Sequence, residues 1–140
     1  MLRRTTVFML GMLALAPKAV IGGEIDPDHF GTWAPVGLSC KAEPRIVVSA
    51  TEIVIHHRGR VQRFGDLDES YDCYSGSSIH SIHVITTCVT PGWNDGVPAP
   101  FWLVFNPKEE RERLSFELLD GDAHFFPNDN QLFRKCRHQR

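Results

Sequence analysis

A chain of 140 residues with four cysteines and 42% hydrophobic residues can bury one core and is too short for two ordinary domains. Its formal charge of −2 supplies no basic field of the kind that phosphate backbones require, so nucleic acid is excluded as the expected partner.

Residues 1–22 read as a secretory signal peptide: Arg3 and Arg4 precede the apolar run from Val7 to Ala16, and small residues follow. That run falls well short of the ~20 residues that cross a bilayer, so no stable membrane anchor is expected. Cleavage after Ala16, Ala19 or Gly22 fits equally. The folded domain is then 23–140, periplasmic or secreted. Losing Arg3, Arg4 and Lys18 takes its formal charge to about −5.

Glu24 to Phe30 reads as a polar lead-in, and the first strand begins near Trp33. Ile46–Ser49, Ile53–His56 and Val61–Phe64 are short β-branched or alternating runs set apart by turn residues. The stretch Asp66–Asp72 reads as a solvated acidic loop; its oxygens only partly match a calcium loop, with Tyr71 where glycine belongs. Tyr71–Ser75 and Ile79–Val89 are expected strands around a turn at Gly76-Ser77-Ser78, and Pro91–Pro98 is dense in turn formers. Phe101–Phe105, Leu114–Leu118, His124–Phe126 and Gln131–Arg134 complete the series. Helical periodicity is absent. The pattern predicts an all-β domain, a single small antiparallel β-barrel of about eight strands, because closure leaves no exposed edges.

Cys40, Cys73, Cys88 and Cys136 are an even set in an exported chain, which predicts two disulfides. No Cys-x-x-Cys occurs. Of the three connectivities, Cys40–Cys73 with Cys88–Cys136 is preferred, since the turn at Gly76 would set Cys73 opposite a residue well short of Cys88.

Histidines are the only metal candidates. On strands, His56 and His57 diverge, as do His80 and His83, so a metal site would need histidines from separate strands. No nucleophile elbow, phosphate loop or carboxylate pair in an apolar setting is present, and the chain reads as non-catalytic, with no cofactor indicated. The aromatics point elsewhere. Phe101, Leu103 and Phe105 share one strand face; Trp102 lies on the other, where it can join Trp93 in a contact patch. An aromatic-lined barrel mouth would equally take a small apolar ligand.

Gly31-Thr32-Trp33 at the head of an all-β chain resembles the Gly-x-Trp opening of lipocalins and other calycins. The resemblance implies that Trp33 plugs one barrel end against an arginine of the last strand, for which Arg134 is the candidate. Size, export and two disulfides also resemble small periplasmic lysozyme inhibitors, barrels that push a loop into the enzyme's cleft. Ser75-Gly76-Ser77-Ser78 is followed by Ile79, where their C-type members carry tyrosine. The expected function is therefore extracytoplasmic binding of a small apolar or amphipathic ligand in the barrel mouth. The alternatives are a protein-interaction module, such as an inhibitor of a cell-wall hydrolase, and a histidine metal site.

Overall fold

The computed structural model describes residues 25–70, 87–91, 99–119 and 124–137. The signal peptide, Cys73, His80, His83 and Trp93 lie outside the described residues. The strands are β1 (Gly31–Pro35), β2 (Arg45–Val48), β3 (Ile53–His57), β4 (Arg60–Phe64), β5 (Leu67–Ser70), β6 (Thr87–Pro91), β7 (Phe101–Phe105), β8 (Arg113–Leu118) and β9 (Gln131–Lys135). Two short 3-10 turns, Pro27–His29 and Pro107–Glu109, are the described helix.

All nine described strands belong to one sheet in the order β4-β3-β2-β1-β9-β8-β7-β6-β5, with every neighbouring pair antiparallel. The sheet curls into a nearly closed barrel. Its two terminal strands, β4 and β5, are consecutive in sequence and joined by Gly65 and Asp66 alone. Alternating direction around the sheet makes them run the same way. Residues 60–70 are thus one strand with a bend, pairing with β3 before it and with β6 after it. Asp66 makes the bend at φ 50°, a left-handed conformation that Asp tolerates better than most residues. Eight working strands result among the described residues, and Leu67–Ser70 of the acidic stretch expected as a solvated loop is instead β5.

Side-chain alternation fills the interior. Ile46, Val48, Ile53, Ile55, Val89, Phe101, Leu103, Phe105, Leu114, Phe116 and Phe133 point inward and merge into one cluster, with Ile25 and Trp33 joining at one end and Phe126 packed against the rings of the other. Phe101 stacks on Phe116 at 5.0 Å between centroids, and Phe126 and Phe64 pack on the same group. His124–Phe126, expected as a strand, is a turn that drops Phe126 into the barrel while Phe125 stays at the surface. The polar lead-in is likewise more than a leader: Ile25 and His29 are both buried. Its 3-10 turn is capped by the Asp26 carboxylate, which accepts from the Asp28 N–H.

The described disulfide is Cys40–Cys136, and it overturns the preferred connectivity at both pairs. The physical reason is the loop after β1. Leu38 N–H donates to Pro35 O and Val36 N–H to Leu132 O, so the chain folds back along the outer wall and brings Cys40 beside the end of β9. Cys88 is disulfide-bonded as well.

Candidate functional site

Two arrangements of polar side chains stand out, both at the end of the barrel where β1 begins and β9 finishes. One is inside. Glu69 pairs across to Val89 and so shares the inward face with Val89 and Leu103. Thr87 sits inward beside Phe105, and His29 descends from the lead-in to lie against the Phe105 ring, tilted by 36° with centroids 4.1 Å apart. His29 Nε2 lies 2.6 Å from Thr87 Oγ1 and 3.7 Å from Glu69 Oε1; Glu69 Oε2 accepts from the Asp26 N–H at 2.9 Å.

Burial dominates the electrostatics of this group. Removal from water lowers the His29 pKa from 6.5 to about 4, with Asp26 and Asp28 pulling the other way and Lys135 reinforcing the shift. Glu69 is raised by the same desolvation, opposed by the hydrogen bonds from Asp26 N–H and the Thr87 hydroxyl. Its Oε1 is buried without a hydrogen-bond partner. Histidine, threonine and glutamate are the parts of a nucleophilic relay, yet here the hydroxyl and the carboxylate both face the same ring nitrogen. A base with its orienting acid on the opposite nitrogen is what that chemistry requires. His29 and Thr87 are also 5% and 3% exposed, so no substrate reaches them without unfolding the end of the barrel.

Trp33 closes this end. Its indole is 2% exposed, donates from Nε1 to His29 O at 3.0 Å, and meets Phe105 edge-on. The cation over its ring is Lys135, at 5.8 Å, and not Arg134. Register decides this: Trp33 is opposite Lys135, whereas Arg134 is opposite Ala34 and faces outward, donating to Leu38 O. Gly31 permits the entry into β1 at φ 128°, a conformation that side chains rarely adopt, and a Cβ there would lie 3.4 Å from the Lys135 Cε.

The second arrangement is outside, on the wall below the tethered loop. A cleft of about 900 Å³ runs between Ser39–Lys41, the start of β1 and the ends of β8 and β9, with the Cys40–Cys136 disulfide in its lining. Five cations line it, Lys41, Arg113, Arg134, Lys135 and Arg137, against the one carboxylate of Glu112. Arg137 bonds Glu112 at 2.8 Å and holds that carboxyl below its ordinary pKa, helped by Lys135 and Arg113. Glu112 adopts φ 55°, unusual for glutamate, which turns its side chain back towards the C-terminal strand.

The other sequence candidates fall as follows. Phe101 and Phe105 are fully buried against Phe116 and against Trp33 and His29, so neither is a surface contact. Trp102 is on the outer face as expected, half-buried against Cys88 and Val104 rather than free. His56 takes Arg45 as its cross-strand partner, at 3.2 Å, while His57 has a buried Nε2 with no partner. Burial lowers the pKa of both, and the neighbouring arginines Arg45 and Arg58 add to it. The described residues hold no cluster of three metal-ligating side chains. Sequence reading missed Glu69 and the basic cleft. Leu67 and Glu69 at spacing two carried the signal for the first, but a charge at an inward position breaks the apolar alternation by which strands are recognised. The cleft joins residues from three separate segments, which no local pattern reveals. No family model, curated protein or solved structure matches the chain, so the reading of these sites rests on their own chemistry.

Proposed function

We propose that the protein is an extracytoplasmic, non-catalytic recognition barrel that engages a protein partner on its outer surface. The observation that carries this reading is the state of the interior. A lumen wide enough for a ligand leaves its wall open to water, whereas most inward residues of the described strands, from Ile46 to Phe133, are 0–2% exposed, with Phe64, Leu67 and Leu118 partly buried against them and Phe126 reaching in beside them. A ligand in the mouth would have to displace that ring from Phe64, Phe101 and Phe116.

Apolar groups instead gather outside. Val36, Leu38 and Leu132 are 47–49% exposed and adjacent, linked by the Val36 N–H to Leu132 O bond. Contiguous exposed side chains of this kind mark contact surfaces. The Cys40–Cys136 disulfide supports an oxidising compartment. Inhibition of a cell-wall hydrolase is the specific version of this function that assay can address first.

Native mass spectrometry of protein released from the periplasm tests the reading. The expected result is a ligand-free mass, with chemical cross-links to a partner that weaken in L38E/L132E. A small apolar molecule carried down at stoichiometric amounts would overturn it. Lysozyme activity unaffected by a molar excess of the protein would remove the hydrolase-inhibitor version.

A further inference from the structure

The cleft on the outer wall contains a charge arrangement that the fold alone leaves unfavourable. Register places Arg113 directly opposite Arg134 on neighbouring strands, and since Leu114 and Phe133 point into the core, both arginines point outward together. Like charges directly opposite one another weaken a strand pair. Among the described residues little offsets this. Arg113 Nε is 3.7 Å from Glu110 Oε2, an exposed pair of small worth. Arg134 gives one nitrogen to Leu38 O, a dipole rather than a charge. Lys135 adds a third cation beside them, its Nζ fixed at 2.6 Å from Asp28 O, and Arg137 is spent on Glu112.

Geometry makes the group a site and not merely a basic face. The disulfide pins the loop bearing Lys41 across the strands that bear the arginines, so cations approach the same space from two sides. Each guanidinium keeps several N–H donors in a planar fork, the form that matches tetrahedral oxyanions two bonds at a time. All this occurs on a domain whose formal charge is about −5 once Arg3, Arg4 and Lys18 are gone, so the cluster of cations runs against the overall sign of the chain.

We propose that the cleft binds a compact dianionic oxyanion, the phosphate of a phosphomonoester, held between Arg113 and Arg134 with Lys41 closing on it from the tethered loop. Glu112 is the built-in competitor, a carboxylate of the protein sharing the field that the ligand's phosphate enters. The inference stands apart from the protein partner proposed above, since the Val36–Leu38–Leu132 patch and the cleft are separately mutable.

Inorganic phosphate is the first probe and vesicles of phosphatidic acid in phosphatidylcholine the second, which separates a free phosphate from a lipid headgroup. Binding is read from the arginine Nε resonances of the disulfide-intact protein. Saturable shifts at Arg113 and Arg134 are expected in at least one arm. R113Q/R134Q should weaken binding about tenfold or more, as loss of charge-assisted bonds does, while E112Q tightens it about threefold. Lys41→Gln, in an exposed loop, gives a milder loss and serves if the double variant does not fold. Absence of saturable shifts in both arms overturns the proposal, as does binding that R113Q/R134Q or Lys41→Gln leaves unchanged.

Discussion

Replacing His29 by glutamine should flatten one part of the protein's acid sensitivity. In the folded protein His29 stays neutral down to about pH 4, whereas the unfolded chain protonates it near 6.5. Its pKa is lowered by folding, so between those values the unfolded state holds the extra proton, and stability falls as pH falls through that window. Above 6.5 the contribution is intact; below about 4 it is fully lost. At about 1.4 kcal/mol per unit, the loss is about 3 kcal/mol, a large share of a small domain's margin. Glu69 works in the opposite sense. Its carboxyl is raised by folding, so it takes up a proton in the folded state first and returns some stability as pH drops. The clean comparison is therefore made on a Glu69→Gln background. Urea unfolding followed by tryptophan fluorescence at about pH 7.5 and about pH 4 gives the two stabilities of E69Q and of H29Q/E69Q. The other carboxylates and histidines titrate in both proteins and cancel. E69Q should lose about 3 kcal/mol more than H29Q/E69Q over that interval. Parallel losses would refute the claim that a neutral histidine is locked beneath Trp33 and Phe105.

The remaining expectations concern the frame. Replacing both Cys40 and Cys136 by serine releases a closure of 96 residues, and the chain-entropy argument puts the loss at about 4.7 kcal/mol, read as a lowered urea midpoint in non-reducing buffer. A non-reducing tryptic digest should return Cys40 and Cys136 in one linked pair of peptides, and by count leave Cys73 to Cys88. Phe116→Ala empties the space between Phe101 and Phe126 and should cost about 3–5 kcal/mol by the same unfolding assay; a loss below about 1 kcal/mol would mean a loosely filled interior. Gly31→Ala forces a side chain into the strained φ of 128°, with an expected loss of about 1–3 kcal/mol and a red-shifted Trp33 emission if the indole seal opens.

Local chemistry in the sequence determined the class of this fold. Phe101, Leu103 and Phe105 alternate with Trp102 and Val104, and Leu114, Phe116 and Leu118 with Ser115 and Glu117, because a strand's side chains point to opposite faces at every step. That rule needs no knowledge of neighbours, so these strands, their inward faces and the all-β barrel were legible, while His124–Phe126 proved a turn and the strands expected at Tyr71–Ser75 and 79–86 lie outside the described residues. The aromatics at the supposed mouth were not, because alternation tells which side chains face inward and not whether the inside is full.

What only the tertiary structure decided were the relations between distant segments. A bend at Asp66 turned a stretch of acids into a strand and put Glu69 among apolar side chains. The fold-back after Pro35 paired Cys40 with Cys136, since a disulfide depends on where two Cβ atoms meet and not on their spacing in the chain. A one-residue difference in register gave Trp33 to Lys135 and sent Arg134 outward to face Arg113. Strand periodicity is a property of the backbone and is written locally; register, pairing and charge juxtaposition are properties of the closed sheet and arise when it closes.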